Sequence, residues 1–128
     1  MTSVLHNTPY IISIDDDPDL LFLIFHSLKQ KGYEVKTSLS GFDLKELMAL
    51  RKPDIILLDI NMGNINGGNI CRAIKADKFT RDIPVLILSG NKDVAQIAQN
   101  CGADAWLQKP FKIDNVLAEI QRFTRSVA

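Results

Sequence analysis

The chain has 128 residues, 46% hydrophobic and 23% charged, a composition that fits one soluble globular domain with a single unstapled core. Lys+Arg and Asp+Glu number 15 each, so the formal net charge is zero, and direct nucleic-acid binding or attraction to an anionic membrane is not expected. No apolar run approaches the roughly 18 residues of a bilayer span, the opening MTSVLHNTP is too short and polar for a signal peptide, and Cys71 and Cys101 make no disulfide framework; a cytoplasmic protein with two reduced core thiols is expected.

In chain order, Tyr10 to Ile14 is a first apolar run, read as a strand, and it ends in Asp15, Asp16 and Asp17. Pro18 suits the first turn of a helix, with Asp17 as its start residue. Leu20, Leu21, Ile24, Phe25 and Leu28 continue at helical spacing, and Gly32 is the predicted C-terminal cap. Tyr33 to Thr37 is a second strand. Ser40 with Asp43 resembles a capping box before the apolar positions Leu44, Leu47 and Met48, and Pro53 stops that helix. Ile55 to Leu58 is a third strand, ending at Asp59. Asn61 to Gly68 reads as a polar, glycine-rich loop, and Ile70, Ala73, Ile74 and Ala76 mark a third helix with a thin apolar face.

Val85 to Leu88 is a fourth strand, ending at Ser89. Val94, Ile97, Ala98 and Cys101 then fall at i, i+3, i+4, i+7, an amphipathic helix closed by Gly102. Ala105 to Gln108 is a fifth strand, ending at Lys109, and Ile113, Val116, Leu117, Ile120 and Phe123 mark a final helix. Lys75, Lys78, Arg72 and Arg81 read as a solvated face, and His6 and His26 as isolated surface or helix-face histidines.

Strands and helices alternate strictly. The strand cores are continuous apolar runs, as expected of strands buried on both faces. The predicted fold is therefore α/β, a flavodoxin-like doubly wound (βα)5 domain with parallel sheet order 2-1-3-4-5. A single domain is expected over 1–128, with its core at about 10–124.

In an open parallel sheet the ligand crevice lies beyond the carboxyl ends of the strands. Asp15, Asp16, Asp59, Ser89 and Lys109 each follow an apolar run there. Carboxylates gathered in one pocket repel, so they need positive company, which Lys109 and a divalent cation supply. Hard oxygen ligands of this number suit Mg²⁺. A carboxylate beside a metal and a lysine is equipped to attack phosphorus, so the donor set points to phosphoryl transfer onto an Asp.

These residues resemble the receiver domain of bacterial two-component response regulators, the stand-alone chemotaxis-regulator type above all. The resemblance covers Tyr10 to about Thr124. It rests on Asp15-Asp16, on the run Pro53-Asp54-Ile55-Ile56-Leu57-Leu58-Asp59, on Gly67, on Ser89 and on Lys109-Pro110-Phe111. It implies that Asp59 is the phospho-acceptor. Asp16 would ligate Mg²⁺ directly, Asp15 mainly through water, and Asn61 through its backbone carbonyl. Ser89 matches the switch hydroxyl, Lys109 the lysine that pairs with the phosphoryl group, and Trp106 the switch aromatic, although an edge-strand aromatic without that role fits Trp106 equally well. A cis peptide between Lys109 and Pro110 is also implied.

The implied function is a phosphorylation-dependent switch. A sensor histidine kinase or a histidine phosphotransfer protein would supply the phosphoryl group. The domain would catalyse only its own phosphorylation and dephosphorylation. The signal would leave through the face of helix four, strand five and helix five to a separate downstream protein.

The chain departs from the family pattern at Gly63, where proline is usual, at Asn66, where Asp is common, and at Gly90, where Ala is. The segment Gly63 to Gly68 is accordingly expected to be looser than the rest of the site. The alternative is a pseudo-receiver interaction module that phosphorylation does not regulate. A haloacid-dehalogenase-type phosphatase would place its nucleophile after the first strand. An FMN-binding flavodoxin would not place three aspartates where a phosphate binds.

Overall fold

A computed structural model of the chain describes residues 8–124. The readings of the N-terminal start and of His6 lie outside the described residues. The elements are β1 (Tyr10–Ile14), α1 (Pro18–Gln30), β2 (Glu34–Ser38), α2 (Leu44–Leu50), β3 (Ile55–Asp59), β4 (Asn61–Met62), β5 (Ile65–Asn66), α3 (Gly67–Ala76), β6 (Val85–Ser89), α4 (Val94–Cys101), β7 (Ala105–Gln108) and α5 (Ile113–Thr124). The main sheet is fully parallel in the order β2-β1-β3-β6-β7. This is the predicted 2-1-3-4-5 topology, with β4 and β5 set apart as a small hairpin.

Strand side chains alternate between two cores. Ile12, Ile14, Ile56, Leu58, Val85 and Ile87 pack with α2, α3 and α4 residues such as Leu44, Cys71, Ile74 and Val94. Ile11, Ile55, Leu57, Leu86 and Leu88 pack with Ile24, Leu28, Val116 and Ile120 of α1 and α5. Both faces of β1, β3 and β6 are therefore apolar, which is why these strands read as unbroken hydrophobic runs.

Helix ends follow local chemistry. Asp17 caps α1, its Oδ1 accepting the backbone N–H of Asp19 at 3.0 Å and of Leu20 at 3.3 Å. Gly32 follows α1 with φ +90°, and Gly102 closes α4 with φ +81°, a left-handed conformation that suits glycine.

Three local expectations change. The Ser40–Asp43 capping box does not form. Helix α2 starts at Leu44 with no side-chain cap, and Asp43 instead accepts the Ser38 hydroxyl at 2.5 Å. A buried polar group at the end of β2 competes for the carboxylate and wins. The loop Asn61 to Gly68 is mostly structured. Asn61 pairs with Asn66 and Met62 with Ile65, leaving Gly63 and Asn64 as the turn. Gly63 has φ +61°, the left-handed first position of a two-residue hairpin, which the ring-locked φ of proline cannot adopt. The expected looseness thus narrows to that turn, because Gly67 and Gly68 already belong to α3 and are buried. The apolar face of α3 looks thin because its first turn packs by backbone.

Lys75 is also no member of a solvated face. Its Nζ is 2.7 Å from Asp104 Oδ2, and it donates to the Ile83 carbonyl at 2.8 Å. Asp104 in turn accepts the Val85 N–H at 2.8 Å, so the pair ties α3 to the start of β6 and the lead-in to β7.

A Cβ on Gly67 would stand 1.9 Å from the carbonyl oxygen of Asp59, whereas a Cβ on Gly63 would meet nothing within 4 Å. We predict that Gly67→Ala costs about 3 kcal/mol or more, through backbone displacement. Gly63→Ala should cost only about 1 kcal/mol, from its positive φ. Denaturant midpoints at equal m-value measure the difference.

Candidate functional site

The carboxyl ends of β1, β3, β6 and β7 meet in one notch. Asp15, directly after β1, is 2% exposed, and Asp59, the last residue of β3, is 4% exposed. Asp16 stands beside them in solvent. One carboxylate oxygen from each of the three lies within 4.8 Å of the other two. Asp15 Oδ1 accepts the Asp17 N–H at 3.0 Å, which fixes its orientation. The strand β7 runs into Lys109, whose backbone N–H donates to the Ser89 carbonyl at 2.8 Å. That bond delivers the lysine side chain to the acids. Its Nζ is 2.8 Å from Asp15 Oδ2 and 3.5 Å from Asp59 Oδ1. The Lys109–Pro110 peptide is cis.

Electrostatics set the state of the notch. Burial raises the Asp59 pKa, and the neighbouring Asp15 charge raises it further. Lys109 and the Asn61 backbone N–H only partly offset this. Burial works against the Lys109 ammonium, but the hydrogen bond and charge of Asp15, with the charge of Asp59, leave its pKa raised overall. The contribution of Lys109 to stability is thus complete below the ordinary lysine pKa. It fades only as pH climbs through the higher folded value.

The structure brings Asp15, Asp16, Asp59 and Lys109 together and sets Ser89 beside them. Ser89 ends β6, is fully buried, and accepts the Asn91 N–H on its Oγ at 3.1 Å. Asn61 opens β4, two residues past Asp59 at the end of β3. Trp106 lies apart, on edge strand β7 across from Ile87, and is 44% exposed. A Cβ on Gly90 would lie 4.0 Å from the Lys109 Cβ, an ordinary contact, so nothing here requires glycine. Sequence reasoning missed the role of Gly67 as a spacer. Its lack of a Cβ lets α3 rest on the Asp59 carbonyl, and its N–H donates to the Ile60 carbonyl at 2.8 Å. Glycine in the first turn of a helix, directly after a strand and short hairpin, is the signal that pointed there.

The donor set is all hard oxygen, and the three acids converge around one point. These residues therefore fit a divalent cation of the Mg²⁺ type.

A doubly wound parallel sheet with clustered acids and a lysine at its carboxyl edge is a receiver-type α/β domain. The model of the response regulator receiver domain matches residues 11–121, and the chain belongs to that family. It is 34% identical over 119 residues to the DNA-binding dual master transcriptional regulator RpaA of Synechocystis, covering 91% of this chain and 49% of that protein. It is 32% identical over 120 residues to the transcriptional regulatory protein PrrA of Mycobacterium tuberculosis, covering 92% and 51%. The chain thus spans about half the length of these curated relatives. Among solved structures, the chemotaxis protein CheY4 of Vibrio cholerae superposes with a TM-score of 0.82 at 26% identity, covering 91% of this chain and 98% of that one. The beryllofluoride-activated DrrB receiver domain gives 0.80 at 28% identity, covering 92% and 98%.

Since burial and the Asp15 charge raise the folded pKa of Asp59, ionising it costs folded-state free energy that grows as pH rises above the unfolded carboxylate value and levels off once pH passes the raised folded one. In metal-free buffer at pH 7, Asp59→Asn should therefore be the more stable protein, by on the order of 1 kcal/mol, or about 4 °C in Tm. The gain should disappear near pH 3. Thermal unfolding across that range checks both halves.

Proposed function

We propose that the domain is a phosphorylation-dependent signalling switch. It takes a phosphoryl group onto Asp59 from a sensor histidine kinase or a histidine phosphotransfer protein. The observation that carries this reading is the Lys109 ammonium, held between the buried carboxylates of Asp15 and Asp59 at the open end of the sheet.

In the transfer, an Asp59 oxygen forms the new O–P bond as the P–N bond to the donor imidazole breaks. The electron pair leaves with the imidazole nitrogen. Lys109 is placed to meet charge on the phosphoryl oxygens without a large movement of its chain. Ser89 accepts the Asn91 N–H through an Oγ lone pair, which fixes the oxygen in place and leaves its O–H proton to donate to the phosphoryl group. Mg²⁺, held by Asp15, Asp16, Asp59 and the backbone carbonyl of Asn61, would supply positive charge against the phosphoryl oxygens. Water later hydrolyses the acyl phosphate. The domain acts as a catalyst only on itself and has no separate substrate.

The output runs through the face of α4, β7 and α5, where Trp106 is exposed, to a downstream protein. We place the domain in the cytoplasm and assign it no direct contact with nucleic acid or membrane. No helix among the described residues is long and apolar enough to cross a membrane. The intact acid cluster argues against the pseudo-receiver alternative.

Incubation with acetyl phosphate and Mg²⁺ should add the mass of one phosphoryl group, and Asp59→Asn should abolish the gain. A gain that survives the substitution would remove Asp59 as acceptor. Mg²⁺ at a hundredfold excess over its Kd should stabilise the wild type by about 2.7 kcal/mol. Asp16→Ala should lose most of that increment and keep the metal-free Tm, since Asp16 is exposed.

A further inference from the structure

Asn66–Gly67 is the only Asn–Gly sequence in the chain. The fold has a use for both residues. Asn66 caps α3, its Oδ1 accepting the Gly68 N–H at 2.8 Å. Gly67 tolerates no side chain, because a Cβ there would stand 1.9 Å from the Asp59 carbonyl oxygen. Chemically the pair is labile. The side-chain carbonyl carbon of an asparagine is open to attack by the backbone nitrogen of the next residue, and glycine leaves that nitrogen unshielded. The cap bond adds to this, since the Gly68 N–H points at the oxygen on which negative charge would develop.

Two features oppose the attack. The Gly67 N–H is engaged, donating to the Ile60 carbonyl at 2.8 Å. Asn66 is extended, with ψ 109°, and is paired with Asn61. Ring closure requires its Cα–C bond to turn until the Gly67 nitrogen eclipses Cβ, which the β4–β5 ladder prevents. That ladder has only the pairs Asn61–Asn66 and Met62–Ile65, joined at the exposed Gly63. A two-stranded hairpin so short opens far more readily than the five-stranded sheet.

We propose that Asn66 is a deamidation site which the β4–β5 hairpin holds shut, and that its conversion follows opening of this hairpin rather than unfolding of the domain. The Gly67 nitrogen loses its proton and bonds to Asn66 Cγ. The bond from Cγ to the side-chain nitrogen breaks, and that nitrogen takes up the proton and leaves as ammonia. Water then cleaves one of the two ring C–N bonds, giving its hydroxyl to the carbonyl carbon and its proton to the Gly67 nitrogen. Cleavage at Cγ yields an aspartyl residue, which still caps α3 and adds a negative charge that a helix N-terminus favours. Cleavage at the backbone carbonyl yields an isoaspartyl residue. Its main chain runs through Cβ and is one carbon longer beside Gly67, so α3 loses its close seat on the Asp59 carbonyl.

The test follows conversion at position 66 by mass-spectrometric peptide mapping during incubation in mildly alkaline buffer. Unfolding the wild type in urea should speed conversion by at least about tenfold. Gly63→Pro cannot keep the φ of +61° that the turn uses, yet nothing lies within 4 Å of a Cβ there, so it should loosen the hairpin and leave both cores intact. In native buffer this variant should convert at least about fivefold faster than the wild type. Val116→Ala weakens the core on the other face of the sheet and should stay within about twofold of the wild type. Asn66→Ser keeps a capping oxygen and should show no conversion. Equal rates in the folded and unfolded wild type would show that the hairpin is no lock. Equal acceleration by Gly63→Pro and Val116→Ala, or none by Gly63→Pro, would overturn hairpin opening as the controlling step.

Discussion

Everything in the notch depends on one ammonium group. Two unit charges about 5 Å apart at an effective dielectric near 20 repel by roughly 3 kcal/mol. Asp15, Asp16 and Asp59 lie within that distance of one another, so the three could not remain ionised together without a counter-charge. Lys109 answers two of them directly. Formally, three carboxylates and one ammonium leave −3 + 1 = −2. That is the charge a divalent cation brings to zero, and the oxygen-only donor set selects a hard one. Under the proposed function, a phosphoryl group would enter a site whose own charges are nearly balanced, and the repulsion that weakens the resting domain would be what makes it receptive.

The fold makes this affordable by separating duties along the strands. Their middles are buried on both faces and hold the two cores apart. At the amino ends of β6 and β7, the Lys75–Asp104 pair and its backbone bonds tie helix to strand. The carboxyl ends are left to chemistry. Helix α3 reaches β3 only because Gly67 has no side chain, so the carbonyl of Asp59 forms part of the floor under the helix. The acid cluster is rigid where it rests on strands, and the Gly63–Asn64 turn beside it carries the irregular geometry.

Periodicity and strand-end chemistry made the sheet order, the helix count and the meeting of Asp15, Asp16, Asp59 and Lys109 at one edge readable from sequence. They were readable because a two-faced parallel sheet leaves unbroken apolar runs, each cut off by a polar residue at the same edge. What escaped was set by contacts between distant segments. The carboxylate of Asp43 looked like half of a capping box, yet it serves Ser38, five residues back. Lys75 looked solvated because its partner Asp104 lies 29 residues on. The hairpin at 61–66 is too short to show alternation, and Gly67 looked like loop because propensity sees flexibility where the structure uses absent volume. Arg72, Lys78 and Arg81, of the same basic stretch as Lys75, are exposed, as expected of a solvated face.

Trp106 carries a practical corollary. The chain holds one tryptophan, and it is part-exposed on the sheet's edge strand rather than sealed in either core. Its ultraviolet emission therefore comes from a single address, with no second indole to average over. Because the ring is already partly wet, global unfolding should alter its colour modestly, whereas a partner that covers this edge should blue-shift it strongly. The domain has a built-in, label-free optical gauge of whatever occupies that side.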